Sequence, residues 1–459
     1  MEAKEIINIA FIIYQRNAAD SELLIKCLKS IFLPDSYRAE IVTVTGDGGY
    51  GMAYNAGMRK SQAKYKFYIS ENTRIIDSEW IVRVINTFVS NPAVAMIGVS
   101  GSKTIASDGV YVRNSKRLGH IKVDGIDLIW SKCPEGKYEN ALAIDSGCFA
   151  TQYDISIDEK YSDEFLIGAV KAFDFRRRNL LSVVIGSSKC PIEYLKKDIL
   201  VDGGELRRFK HDYLCNLKSL DLRRCACCGS VIEDYMPLRL YYTFENIKYD
   251  VPYREGEMCN VRHYQCPVCN ASDRDRAYAL WMRRNINSET TMRVLDVAPS
   301  GPLSAFIKRE FPKSDYKSAD LFMEGVDYKI DVMNMDAIQT ASVDFFISSH
   351  VLEHVVDDIK AMSEFKRILN LKGCGIMVVP IVLGQEDIDE DPNCDNIAER
   401  WRRFGQNDHV RSYSHDGFVS RLKSVGLVVE EYGKEYFGDK EMYENALSDT
   451  SIVYVVRPA

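Results

Sequence analysis

Two Cys-x-x-Cys pairs set the narrowest limit on what this chain can fold into. Cys225-Ala-Cys-Cys228-Gly and Cys266-Pro-Val-Cys269 each present two thiolates to one ion. Four thiolates close a tetrahedral zinc site and leave no open position for catalysis. Gly229 and Asn270 follow the pairs as turn residues, the chemistry of a zinc knuckle. The 37 residues between the pairs, 229–265, exceed the common gap, so a hairpin is expected to fold out there. A redox dithiol would need a thioredoxin-like βαβ context, which is missing. Cys225, Cys228, Cys266 and Cys269 are therefore assigned to structural zinc, with Cys227 and Cys259 as spare thiols or substitute ligands. The start, Met1-Glu2-Ala3-Lys4-Glu5, lacks the basic region and cleavage site of a signal peptide. A reducing cytoplasmic setting is expected, where 13 cysteines serve as buried thiols or ligands rather than disulfides.

With 459 residues, 46% of them hydrophobic and 27% charged, the chain has material for about three globular domains and is not disordered. Its net charge of −7 argues against a nucleic-acid coat. The short clusters Arg176-Arg177-Arg178 and Arg400, Arg402, Arg403 read as solvated helix faces. No apolar run reaches the length of a membrane span, so any membrane association is expected to be peripheral, at the inner face. Residues 1–205 alternate strands (Ile6–Tyr14, Glu40–Thr45, Tyr65–Ile69) with amphipathic helices (Ser21–Phe32, Trp80–Val89), which implies a mainly parallel, Rossmann-like α/β sheet. Residues 206–222 read as a linker, 223–275 as the zinc ribbon, and 276–459 as a second Rossmann-like α/β domain. Within the last, 385–395 reads as an acidic, mobile loop.

In the second α/β domain, Arg293-Val-Leu-Asp-Val-Ala-Pro-Ser-Gly-Pro-Leu303 is a strand ending in a turn of small residues, where a ligand can approach the backbone. Tyr316-Lys-Ser-Ala-Asp320 ends in an acid placed to accept bonds from a ribose diol. Asp331 offers a further acid, suited to an adenine amino group. Val343-Asp-Phe-Phe-Ile-Ser-Ser-His350-Val-Leu-Glu353-His354 is a strand followed by a turn into a long helix reaching about Leu369. This order resembles the class I S-adenosylmethionine-dependent methyltransferases. It is most similar to the subgroup with Ser-His-Val-Leu-Glu-His-Val (from Ser349), a Val-Val-Pro strand (to Pro380) and Arg-Phe-Gly-Gln-x-Asp-His-Val-Arg-x-Tyr (Arg403 to Tyr413). The resemblance covers about 293–459. It implies that Asp296, Ala298 and Ser300 line the methionine end of S-adenosylmethionine, Asp320 the ribose and Asp331 the adenine. The usual glycine-rich turn is altered, Ala298 and Ser300 standing in place of glycines. The subgroup often carries a zinc ribbon upstream, followed by an Arg-rich helix such as Asp273-Arg-Asp-Arg276.

Methylation of a sugar hydroxyl calls for a general base, and histidine has the right pKa. His350 sits at a strand end, where such sheets bind ligand. His409 has Asp408 beside it. Arg411 is placed as a clamp for an anionic acceptor. His350, His409 and Arg411 are thus the candidate catalytic residues. His350-x-x-Glu353-His354 also matches an inverted zinc-protease motif, but the strand-helix series around it argues against that chemistry.

In the first domain, Ala53-Tyr-Asn55-Ala, Ala63-Lys-Tyr-Lys-Phe-Tyr-Ile69, Asn91-Pro-Ala-Val-Ala-Met-Ile-Gly98-Val-Ser-Gly101 and Asp145-Ser-Gly-Cys-Phe149 resemble family-2-like glycosyltransferases of the GT-A fold, nearest the streptomycin-cluster type. The resemblance covers about 5–190. It implies a nucleotide-sugar donor held through Mn2+ or Mg2+ by an acidic turn after the third strand, with Asp145 on the acceptor side. That turn here is Ser70-Glu71-Asn72, with one carboxylate, so Glu71 and Asn72 would carry the metal. Asp174 is the nearest candidate for the general base. The expectation is a bifunctional protein of polysaccharide or glycoconjugate assembly, in which a methyltransferase acts on a glycan or lipid-linked glycan and is fused to a sugar-transferase fold of doubtful activity. The rivals are a glycan-docking scaffold with a non-catalytic GT-A domain and a small-molecule or antibiotic methyltransferase.

Overall fold

The computed structural model describes residues 6–113, 115–131, 133–195, 202–252 and 254–459. The start at 1–5, read above for a leader, lies outside them. The chain forms two compact units, one of Met1–Leu222 with Ser230–Glu233, the other of Arg223–Gly229 with Asp234–Ala459.

The N-terminal unit is built on a seven-stranded sheet in the order Tyr37–Val44, Ile7–Tyr14, Tyr65–Ile69, Cys148–Thr151, Val94–Gly98, Leu181–Ile185, Tyr138–Asn140. The first three run parallel. Cys148–Thr151 is wedged antiparallel between its neighbours. Ile7–Tyr14 is apolar along its length because both faces of the sheet are covered. Ile9, Phe11 and Ile13 enter one core, Ile12 and Tyr14 the other. A second sheet, Ala143–Ile144, Ser100–Ser102, Arg117–Val123, Ile192–Tyr194 and Thr73–Ile75, was not foreseen, since every strand but Arg117–Val123 is too short to show a period. The expected linker 206–222 is instead part of this unit. Helix Gly203–Leu214 and the turn Leu217–Leu220 bury Phe209, Tyr213, Leu214, Leu217, Leu220 and Leu222 in the core. The Phe209 ring meets Phe173 edge-on at 5.5 Å.

The C-terminal unit carries a sheet ordered Tyr328–Lys329, Asp315–Asp320, Arg293–Val297, Val343–Ser349, Leu369–Val378, Val453–Pro458, Leu427–Tyr432. The first five are parallel, and Val453–Pro458 runs antiparallel to both its neighbours, so that Leu427–Tyr432 again points the way of the first five. Strand order reverses between Arg293–Val297 and Val343–Ser349, the place where open α/β sheets bind ligands. Three expectations are corrected here. The long helix after Ser349 is a 3-10 turn, Leu352–His354, then helix Asp358–Ile368 capped by Asp357, so no helix carries His350 and His354 on one face. The acidic loop is anchored: Asp389–Glu390 pairs antiparallel with Arg411–Ser412, and Arg403 Nη2 meets Asp389 Oδ1 at 2.6 Å. The insert between the cysteine pairs returns antiparallel, Met236 opposite Gln265, but carries helix Leu240–Lys248 rather than a plain hairpin.

The arginine clusters are solvated in part, at Arg177, Arg178 and Arg402, but several of their side chains are tied to backbone carbonyls. Arg176 donates Nε to Leu220 O, Arg177 donates to Asp212 O, and Arg400 donates to Cys394 O. Among the described residues no helix is long and apolar enough to cross a membrane.

Glu257 is 4% exposed and its Oε2 accepts from Tyr454 Oη at 2.8 Å. Burial pushes its carboxyl from 4.5 up to about 7. A carboxyl that titrates higher when folded takes up a proton on folding. Stability should therefore fall as pH rises from about 4.5 to about 7 and stay low above it. Glu257→Gln keeps an acceptor for Tyr454 and carries no charge. It should flatten that slope and raise stability at pH 8 by on the order of 3 kcal/mol, read as Tm against pH.

Candidate functional site

The two cysteine pairs converge. Cys225 Sγ lies 3.8 Å from Cys269 Sγ, and Cys228 Sγ lies 3.9 Å from Cys266 Sγ. Zn–S bonds of about 2.3 Å in a tetrahedron place sulfurs about 3.8 Å apart, so the four thiols fit zinc with little movement. Each knuckle is closed the same way. Gly229 N donates to Cys225 O and Asn270 N to Cys266 O, at 2.7 and 2.9 Å. Gly229 and Asn270 both take positive φ, +73° and +66°. Four thiols at this spacing, two buried and two half-buried, with all positions filled by protein, would serve folding rather than catalysis.

At the reversal point of the C-terminal sheet lies a cleft of about 300 Å3, lined by Asp296, Ala298, Ser300, Ser349, Arg274 and Tyr278, among others. Ala298 and His350, each just beyond a strand end, hold left-handed backbone at φ +54° and +55°. Such conformations in residues other than glycine cost about 1 kcal/mol or more and gather at functional turns. Here they bend the chain away so that the cleft stays open at both strand ends. The small Ala298 therefore does the work of the missing glycine.

The sequence-derived cofactor residues fall into two groups. Asp296 and Ser300 reach the cleft wall but are already engaged. Asp296 Oδ2 accepts from Tyr316 Oη at 2.7 Å and Ser304 Oγ at 3.3 Å, and burial pushes its carboxyl up to about 7. Ser300 caps helix Gly301–Glu310 and donates to Asp275 Oδ1 at 2.7 Å. Asp320 and Asp331 stand at the next strand ends, outside the lining of this cleft. Asp320 Oδ1 accepts from Phe322 N and Met323 N, both at 2.7 Å, which orients the carboxylate. Asp331 Oδ1 accepts from Met333 N. Sequence reading missed Arg274 and Tyr278, whose Oη lies 2.8 Å from Ser349 Oγ. Both face inward from helix Asp273–Asn285, and only the tertiary fold brings that helix to the strand end.

His350 and His409 come together with Glu353 and His354. His350 Nδ1 is 3.3 Å from Glu353 Oε1. The rings of His354 and His409 meet edge-on at 4.7 Å. Burial lowers the pKa of His350 and brings that of His409 down to about 4, while burial raises Glu353 to about 8. Asp408 faces His354 rather than His409, at 3.4 Å. Arg411 is not a substrate clamp. It is 1% exposed, and its guanidinium donates to Leu352 O, Val355 O and Val356 O and to Glu390 Oε2.

In the N-terminal unit, a cleft of about 1260 Å3 opens at the strand ends, walled by Arg16, Asp47, Tyr50, Asn72, Lys160 and Glu164, among others. Gly49, at φ +76°, lets the chain pass so close to Ser162 that a Cβ would meet its side chain at 2.3 Å. Asn72 lines the cleft as expected; Glu71 and Asp145 do not. Glu71 Oε2 accepts from Arg16 N, Asn17 N and Ser21 Oγ, at 2.9, 2.8 and 3.1 Å. It fixes the start of helix Ala18–Lys29 instead of facing a metal. Asp145 is 1% exposed and accepts from Tyr194 Oη, Tyr111 Oη and Gly147 N. Asp174 accepts from Tyr213 Oη, away from the cleft wall. The acids that do line it are Asp47, Asp163, Glu164, Asp202 and Glu205. Asp163 caps helix Glu164–Arg176, and Glu164 Oε2 accepts from Tyr50 Oη at 3.0 Å. An acid pair ahead of the apolar run Phe165–Phe175 was the available sequence signal.

Residues 10–208 match the model of a glycosyltransferase like family, and residues 278–377 match a methyltransferase domain model. The chain joins a glycosyltransferase-like domain over residues 10–208 to a methyltransferase domain over residues 278–377. No curated protein matches it. Solved structures similar to the chain include three whose titles name methyltransferases. One is the complex of the Haloferax volcanii Trm112 methyltransferase activator with a methyltransferase (16% identity, 41% of this chain and 92% of that one, TM-score 0.28). Another is a SAM dependent methyltransferase from Aquifex aeolicus (14%, 38% and 87%, 0.25). The third is an S-adenosylmethionine dependent methyltransferase from Mesorhizobium loti (14%, 39% and 98%, 0.27). At these scores the likenesses carry no argument about substrate. The methyltransferase domain thus owns the 300 Å3 cleft and the histidine cluster, and the glycosyltransferase-like domain owns the larger cleft.

Proposed function

We propose that the protein methylates a hydroxyl oxygen of a sugar within glycan or glycoconjugate assembly, with zinc at the four cysteines as a structural ion. The observation that carries this reading is the cleft at the sheet reversal, with acids at successive strand ends and His350 in the turn directly after Ser349, which lines it. Bound S-adenosylmethionine supplies an electrophilic methyl group. Asp320, oriented through one oxygen by two backbone amides, keeps the other for a ribose diol. Asp331 lies one strand further out, on the adenine side. Ala298 gives close backbone approach beside the methionine end. His350 is the proton acceptor: as the acceptor oxygen bonds to the methyl carbon, the C–S bond breaks with its electron pair going to sulfur, and the hydroxyl proton passes to imidazole. Fusion to a sugar-transferase fold is what favours a glycan acceptor over a small molecule, as an association rather than a geometric argument.

Asp320→Ala should weaken S-adenosylmethionine binding about 10- to 100-fold in calorimetric titration, through loss of charge-assisted bonds to the diol. Asp320→Asn, which keeps an acceptor for the turn, should recover part of the loss. Unchanged affinity in both variants would remove Asp320 from the site.

A second reading applies to the glycosyltransferase-like domain. Because Glu71 is buried, lies outside the cleft lining and has its Oε2 held by Arg16 N, Asn17 N and Ser21 Oγ, the turn after the third strand presents no carboxylate to a metal in the cleft, which favours sugar or nucleotide-sugar docking over metal-assisted transfer. Nucleotide release from UDP-, GDP- or dTDP-sugars that rises with Mn2+ would overturn it.

A further inference from the structure

Glu353, His354 and His409 place their ligating atoms within 4.8 Å of one another. Glu353 is fully buried, yet neither Oε1 nor Oε2 makes a hydrogen bond. His409 is 3% exposed, and its Nδ1 lies 2.9 Å from Phe404 O, so that nitrogen carries the proton. The buried Nε2, left with a lone pair, has no partner. His354 turns Nδ1 toward Asp408 Oδ2 at 3.4 Å and Nε2 toward Glu353 Oε1 at 3.9 Å. Oε1 has only the ring nitrogens of His350 at 3.3 Å and His354 at 3.9 Å near it and Oε2 has no partner, so this buried carboxyl is poorly satisfied in either protonation state. An imidazole whose outer nitrogen is held by a carbonyl or carboxylate oxygen is the arrangement that metal-ligating histidines adopt. His409 has it through Phe404 O, and His354 faces the Asp408 carboxylate at 3.4 Å.

We propose that Glu353, His354 and His409 hold a divalent first-row transition ion, at a second metal site separate from the four cysteines. Two imidazole nitrogens and one carboxylate oxygen select zinc, iron(II) or manganese over calcium and magnesium. Metal–nitrogen bonds of about 2.1 Å need ligand atoms about 3.4 Å apart. A gap of up to 4.8 Å must therefore close by at most about 1.4 Å, within reach of a side-chain rotation at His354, whose side chain is 36% exposed. The same exposure, with that of Asp408, gives the ion a route from solvent. Three protein ligands leave a position open, as catalytic sites do and closed structural sites do not. His350 flanks that cluster through Glu353. The site stands on its own geometry. Only its use, taking an acceptor oxygen in the open position, rests on the methyl-transfer reading.

The test is metal content per folded chain after loading with Zn2+ and gel filtration. Wild type should hold two ions, Glu353→Gln and His409→Ala one, and Cys266→Ser only the ion at the histidines. Replacing the more labile ion by Co2+ should give weak visible d–d bands without thiolate charge transfer. His354→Gln, at a half-exposed position, keeps the test open if the buried variants do not fold; it should weaken the second Zn2+ at least tenfold. One ion per folded wild-type chain at zinc excess, or equal Zn2+ affinity in wild type and His354→Gln, overturns the inference. S-adenosylmethionine titration of the same preparations separates the two readings. Two ions without cofactor binding would sink methyl transfer and leave the metal site standing; cofactor binding with one ion would do the reverse.

Discussion

Cys266→Ser should release one zinc ion per chain and destabilise the methyltransferase domain by several kcal/mol. A structural zinc binds the folded knuckles and not the unfolded chain, so its binding free energy is folding free energy. The knuckles are also a docking point for the rest of the unit. Arg276, fully buried in the helix after the second pair, donates to His263 O, Tyr264 O, Ala271 O and Asn445 O, and lies 3.7 Å over the Tyr235 ring. Cys266 N also donates to Ala271 O at 2.9 Å, so loosening Cys266 disturbs the carbonyls that this guanidinium gathers. Metal analysis and a calorimetric melt of the variant check both parts. A full zinc complement or an unshifted melt would contradict the assignment.

Arg411→Ala should cost about 3–5 kcal/mol of stability, the range for leaving a buried charge and its acceptors unpaired. Arg411 reaches Leu352 O at 2.6 Å, Val356 O at 2.9 Å and Glu390 Oε2 at 3.0 Å, and so ties the turn carrying Glu353 and His354 to the strand Arg411–Ser412. Arg411→Lys, with a single point of donation, should recover only part. Denaturant melts of the three proteins measure this. A stable Arg411→Ala variant that lost only acceptor affinity would restore the substrate-clamp reading.

The contrast between Arg411 and the cysteines explains what the sequence made legible. Cysteine pairs, strand runs such as Tyr65–Ile69 and the acid series Asp296, Asp320, Asp331 announce themselves within a few residues. A single arginine, glutamate or aspartate does not, because its role depends on a partner far along the chain. Glu71 looked like a metal ligand until Arg16, Asn17 and Ser21 proved to hold it from 50 or more positions away. Asp145 looked like an acceptor-side acid, but Tyr111 and Tyr194 bury it. The unfilled pairing of Glu353 with His409 was hidden for the same reason, 56 positions separating them. The misread linker is different. Phe209, Tyr213 and Leu214 carried a helical spacing that composition alone obscured.

The most direct test of sugar O-methylation supplies trideuteromethyl-labelled S-adenosylmethionine and glycans extracted from the source cell, with zinc-replete protein, followed by hydrolysis and mass spectrometry of the released sugars. Label on a sugar oxygen with wild type, and strongly reduced with His350→Ala, is the predicted result. Label on a nitrogen or carbon, or on a small molecule while every sugar stays unlabelled, would contradict it.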